Sequence, residues 1–68
     1  MEISGRNQLS ATVREVKRGD IMAEVVMELA GGQIMVAAVT RASVDHLDIK
    51  PGDTVTAIVK ATDVMVGA

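Results

Sequence analysis

Ile21-Met22-Ala23-Glu24-Val25-Val26-Met27-Glu28-Leu29 decides how this chain folds. Ile21, Ala23, Val25, Met27 and Leu29 share one face of an extended strand. Glu24 and Glu28 lie on the other, together with Met22 and Val26. Alternation with a period of two marks a strand whose one face is core and whose other face is at least partly wet.

Working outward, Leu9, Ala11 and Val13 alternate with Ser10, Thr12 and Arg14, a second strand that reaches to Val16. Lys17-Arg18-Gly19-Asp20 joins the two runs as a hairpin turn, with Gly19 expected to supply a positive φ. On the other side, Ala30-Gly31-Gly32 is a further turn signal. The strand over 33–40 that follows is apolar on both faces, with Ile34, Val36 and Ala38 on one and Met35, Ala37 and Val39 on the other. An edge strand of a small monomer does not read this way, and one face is expected to pack on a neighbouring subunit.

Beyond it the pattern changes. Thr40 can cap a helix, and Val44 with Leu47 has helical spacing, which predicts about two turns. Pro51-Gly52 turns the chain, and a strand over 54–60 sets Val55, Ala57 and Val59 opposite Thr54, Thr56 and Ile58. Val64 and Val66 predict a short last strand. The expected fold is all-β: a five-stranded OB-like Greek-key barrel with one short helix between strands 3 and 4, in a single domain over 1–68. An SH3-like barrel is the alternative.

A chain of 68 residues buries little of its surface, so a lone core is marginal. Cysteine is absent, which removes disulfides and thiolate metal sites, and His46 alone builds no zinc site. Apolar residues make up 49% of the chain without a single aromatic, and self-association is the remaining route to stability. The formal charge of −2 and the lack of stacking aromatics argue against a nucleic-acid partner. No apolar run approaches the roughly 20 residues of a membrane-spanning helix, and Met1-Glu2-Ile3-Ser4 has no signal-peptide character. No membrane partner and a cytoplasmic location are the expectation.

No enzyme constellation is present. His46 reads as an exposed helix residue, Asp45 and Asp48 beside it as a solvated face, and the methionines as core filler. Lys17-Arg18 reads as a solvated hairpin tip, and Pro51-Gly52-Asp53 as a structural turn. Ser4-Gly5-Arg6-Asn7-Gln8-Leu9 differs in kind. From composition alone it is a polar lead-in to the first strand. Yet Ser4, the Gly5 amide and Arg6 supply a hydroxyl, a backbone N–H and a cation, the donors a tetrahedral dianion needs. Lys60 ends an apolar strand, where an unpaired ammonium is costly and a bound anion would partner it.

These segments carry a resemblance. Ser4-Gly5-Arg6-Asn7-Gln8-Leu9 is similar to the S-A-R-N-Q-L signature of the molbindins, the Mop or molybdenum-pterin-binding proteins. Val39-Thr40, Ser43-Val44, Leu47, Pro51-Gly52-Asp53 and Val59-Lys60-Ala61-Thr62 match in order over the rest of the chain. The resemblance implies an OB-like, non-enzymatic, cytoplasmic protein that binds molybdate and tungstate for storage or homeostasis. It implies a homohexamer, a trimer of dimers, with oxyanion sites at subunit interfaces. Ser4, Gly5 and Arg6 would contact the anion from one subunit, and Lys60 and Ala61 from another, with no side chain ligating the metal directly. Asn7, Gln8 and Thr62 are weaker candidates. Gly5 stands where alanine is commoner, and Ala61 where some relatives have serine, which leaves one hydroxyl fewer. The alternatives are an OB-like nucleic-acid-binding module and a structural interaction module.

Overall fold

The computed structural model describes residues 5–68. Strand β1 runs Asn7–Arg18, β2 Met22–Leu29 and β3 Ile34–Thr40; helix α1 follows at Arg41–Leu47, then β4 at Thr54–Val59 and a turn of 3-10 helix at Ala61–Asp63. The strands form one sheet in the order β3-β2-β1-β4, with every neighbouring pair antiparallel. A three-strand meander whose fourth strand returns beside the first is a Greek key. With one short helix in the return, it is the expected all-β, OB-like fold.

The inward faces are those the alternation assigned. Ala11, Val13, Ala23, Val25, Met27 and Ala57 are buried, and Val44 of α1 closes one end of the core. Among the described residues, Val13 and Val44 are the two large side chains that are fully buried. A bulge between Val13 and Glu15 resets the β1–β2 register, turns Arg14 outward onto Glu28, and lets β1 curl over the core. The Pro51-Gly52 turn is stitched to the same place: Val13 N–H donates to Asp53 O at 2.9 Å, and Gly52 N–H donates to Val13 O at 2.8 Å. Thr40 ends β3 and also caps α1, accepting from Ser43 N–H at 3.2 Å as its spacing predicted.

Among the described residues four strands form, not five. The 3-10 turn redirects the chain after β4, and Val64, Met65 and Val66 are exposed to 50%, 94% and 94%. A period-two apolar pattern makes a strand only where an edge is within reach to pair with it. The hairpin glycine also works differently from expectation. Among the described glycines, positive φ occurs at Gly32 and Gly52, not at Gly19. Gly19 is required for closeness instead, because a Cβ there would lie 2.9 Å from the Met22 carbonyl oxygen. Ile21, placed on the core face by its alternation, is exposed at the hairpin tip, and Leu47, which shares the helical spacing of Val44, is exposed at the end of α1. Of the methionines described, Met27 alone is buried.

β3 and β4 are the two edges of the sheet, and between them runs an open apolar groove of about 1130 Å³. Met35, Ala37 and Val39 face it from β3, and Val55, Ala57 and Val59 from β4. Ile34 and Val36, on the outer face of β3, are more than half exposed. The strand is apolar on both faces and, in one protomer, dry on neither.

Candidate functional site

The β1–β4 ladder runs from Thr12 opposite Thr54 to Asn7 opposite Val59. One position further out stand Arg6 on the first strand and Lys60 on the second, so pairing over 52 residues brings the two sequence-predicted segments to one end of the sheet. Both cations are exposed, and Gly5 is buried beneath the segment that carries Arg6. Ala61 and Thr62 follow Lys60 directly in the 3-10 turn and are exposed too. Ser4 lies outside the described residues.

The charge pattern sets these cations apart. Arg14 pairs with Glu28, Arg18 and Arg41 with Asp45, and Lys50 with Asp48. Among the described residues, Arg6, Lys17 and Lys60 are the basic side chains with no carboxylate within 4.0 Å. Two of these three occupy one sheet end, where their donors are unspent. Lys60 is solvated, so the cost of burying an unpaired ammonium does not arise within one protomer.

Backbone donors are unspent here as well. Val13 N–H pairs with Asp53 O at 2.9 Å, and the alternation of an antiparallel ladder carries that bonding pattern along every second residue to Asn7 and Val59. Arg6 and Lys60 therefore fall at a non-bonded position, beyond both strands. Neither N–H has a backbone acceptor among the described residues. The Val59 carbonyl faces β1, where it accepts from Asn7 Nδ2 at 3.2 Å. In a trans peptide N–H opposes C=O, so Lys60 N–H points away from β1 and from the Arg6 of its own chain.

A groove of about 620 Å³ opens beside Arg6, with Asn7 and Gln8 on its rim and Leu9, Met35, Val59 and Val64 as an apolar wall. Sequence reasoning missed this wall. Leu9 and Val59 read as strand residues, and nothing in their spacing says that Met35 and Val64 join them. The sequence gives even less warning of the Asn7 side-chain bond to Val59 O, since it depends on the register of β4, whereas that of Gln8 is local. Gln8 Nε2 donates to Gly5 O at 3.3 Å.

Elsewhere the polar clusters are structural. Asp45 receives Arg18 at 3.1 Å and Arg41 at 3.5 Å, which ties α1 to the β1–β2 hairpin. His46 is exposed beside it, and the described residues contain no group of three or more metal-ligating side chains. No helix among them is long and apolar enough to cross a membrane.

Residues 3–66 match the TOBE domain model. The chain is 46% identical to molybdenum-pterin-binding protein 3 of Clostridium pasteurianum over 66 residues, 97% of either chain. A molybdate-binding protein from Sporomusa ovata superposes with a TM-score of 0.94 at 53% identity, with each chain fully covered. The cytoplasmic molybdate-binding protein ModG, solved with molybdate bound, superposes with a TM-score of 0.84 at 38% identity, covering 90% of this chain and 43% of that one.

Proposed function

The chain belongs to the TOBE-domain family and, within it, to the molybdenum-pterin-binding proteins, and on that premise we propose that it binds molybdate and tungstate in the cytoplasm to store molybdenum and buffer its concentration. The observation that carries this reading is the pairing of Arg6 with Lys60 at one sheet end. Both are exposed, and among the described residues neither has a carboxylate partner and the backbone N–H of each is unspent. Hydrogen bonds from charged donors are about twice as strong as neutral ones, and a dianion accepts several at once. A chain with a net charge of −2 can hold an anion because only these local donors matter.

The site is completed between subunits. Lys60 N–H points away from the Arg6 of its own chain, so an anion held by that N–H takes its arginine from another protomer. Ser4, Gly5 and Arg6 of one subunit, with Lys60 and Ala61 of the next, are the proposed shell. The exposed apolar residues support association: the two sheet edges leave a groove open, and Ile34, Val36, Val64, Met65 and Val66 stand in water. A homohexamer built as a trimer of dimers is the proposed assembly. The fold performs no chemistry on its ligand.

Selection among oxyanions rests on cavity size and donor number. Sulfate has the same charge but is smaller. Phosphate is protonated near neutral pH, and its O–H finds no acceptor in a shell made of donors. Calorimetric titration with molybdate, tungstate, sulfate and phosphate tests the reading. Molybdate and tungstate should bind far more tightly than the other two, and a flat molybdate titration overturns it. Sedimentation tests the assembly, which a folded monomer at micromolar concentration overturns.

A further inference from the structure

Two adjacent carboxamides each grip the peptide that leads into one of the two cations. Gln8 Nε2 donates to Gly5 O at 3.3 Å, and that carbonyl belongs to the peptide whose N–H is that of Arg6. Asn7 Nδ2 donates to Val59 O at 3.2 Å, and that carbonyl belongs to the peptide whose N–H is that of Lys60. Both side chains are exposed. From this geometry we infer that Asn7 and Gln8 are positioning residues: they do not touch the anion but aim the backbone donors of Lys60 and Arg6 at it. The inference rests on the oxyanion reading above.

The physical argument has two steps. A trans peptide holds C=O and N–H on opposite sides, so a bond to the oxygen also fixes where the hydrogen points. Arg6 and Lys60 lie outside the strands, and among the described residues no ladder bond fixes the Gly5–Arg6 peptide, while the Val59–Lys60 peptide is the last one the β1–β4 ladder reaches. A side-chain bond is the remaining device for the first and a second hold on the other. Donors already aimed before the ligand arrives bind it more tightly than donors that must be ordered by it. Adjacency matters as well. Side chains of consecutive strand residues leave opposite faces, so Asn7 and Gln8 can serve two peptides without competing.

The variants Asn7→Leu and Gln8→Met remove the donor at similar size and add no charge near the anion. Each should weaken molybdate binding about tenfold by calorimetry, the worth of one hydrogen bond, with melting temperature and assembly held. The decisive readout is selective. With molybdate added to the 15N-labelled parent, both the Arg6 and the Lys60 amide resonances should shift. Gln8→Met should abolish the Arg6 shift and spare that of Lys60, and Asn7→Leu should do the reverse. Serine at either position repeats the test should a bulkier variant lower stability. Variants that bind as the parent does, or that lose both amide shifts together, overturn the inference. A parent that binds no molybdate overturns the proposed function and this inference with it. A parent that binds while both variants match it overturns this inference alone.

Discussion

Arg6 and Lys60 stand one position beyond the Asn7–Val59 pair that ends the β1–β4 ladder, and neither has a carboxylate partner among the described residues. Four other basic side chains of the protein are neutralised by Asp or Glu. Two exposed cations without carboxylates at one sheet end cost little in water and leave their donors free. That arrangement suits a protein that binds a dianion.

Arg6→Ala and Lys60→Ala should each weaken molybdate binding roughly tenfold or more, since a hydrogen bond from a charged group contributes roughly 1.5–3 kcal/mol. Both side chains are exposed, so melting temperatures should stay within a few degrees of the parent. Calorimetry alongside thermal denaturation separates the two effects. Parental affinity in both variants moves the site elsewhere.

The helix can be dissected at Val44 and Leu47, which share its helical spacing but not its burial. Val44 is fully buried and Leu47 is 66% exposed. Val44→Ala should cost about 2–3 kcal/mol, from lost transfer energy and the cavity left behind. Leu47→Ala should stay within about 0.5 kcal/mol in the isolated protomer. Denaturant melts at one fixed protein concentration compare them. A larger loss at Leu47 that appears at high protein concentration and shrinks as the protein is diluted would show that this side chain packs on another copy.

Two turn glycines should fail for different reasons. Gly52 has φ 94° and open space around its Cβ direction, so Gly52→Ala meets only the left-handed backbone penalty, about 1–2 kcal/mol. Gly19 has ordinary φ, but its Cβ would meet the Met22 carbonyl oxygen at 2.9 Å. Gly19→Ala must open the hairpin or break the Gly19–Met22 hydrogen bond of 2.8 Å. Gly52→Asn, which tolerates positive φ, should recover part of the loss, whereas Gly19→Asn should recover none.

The sequence legibly carried the faces of the sheet, because period two is a local property. Ala23, Val25 and Met27 are buried where their alternation put them, and Thr40 caps the helix it was assigned to. Patterns that end in a choice of partner were not legible. Val64 and Val66 alternate like a strand, yet whether an edge accepts them depends on how the chain leaves Lys60. Gly19 looked like a positive-φ turn residue, but the requirement there is a close backbone approach set by the tertiary fold. At the site, the types of donor were readable from Gly5, Arg6 and Lys60. Their shared sheet end was not, because a 52-residue pairing leaves no local signal. The bond of Asn7 follows from that register and was equally hidden, while that of Gln8 reaches only back to Gly5.

Whether one protomer or two build the site can be decided by mixing variants. In a site contained in one chain, Arg6→Ala and Lys60→Ala each damage every site, and a mixture of the two proteins stays weak. In a site split between chains the outcome differs. When an Arg6→Ala protomer pairs with a Lys60→Ala protomer, one shared site loses both cations, and the other keeps Arg6 from one chain and Lys60 of the partner subunit. Unfolding and refolding the two variants together should therefore restore molybdate binding of parental affinity in a fraction of the sites, while each variant refolded alone stays weak. The direction of Lys60 N–H, away from the strand that carries its own Arg6, leads us to expect recovery. A mixture no better than its components, with exchange of subunits verified by mass spectrometry, would place the whole site in a single chain.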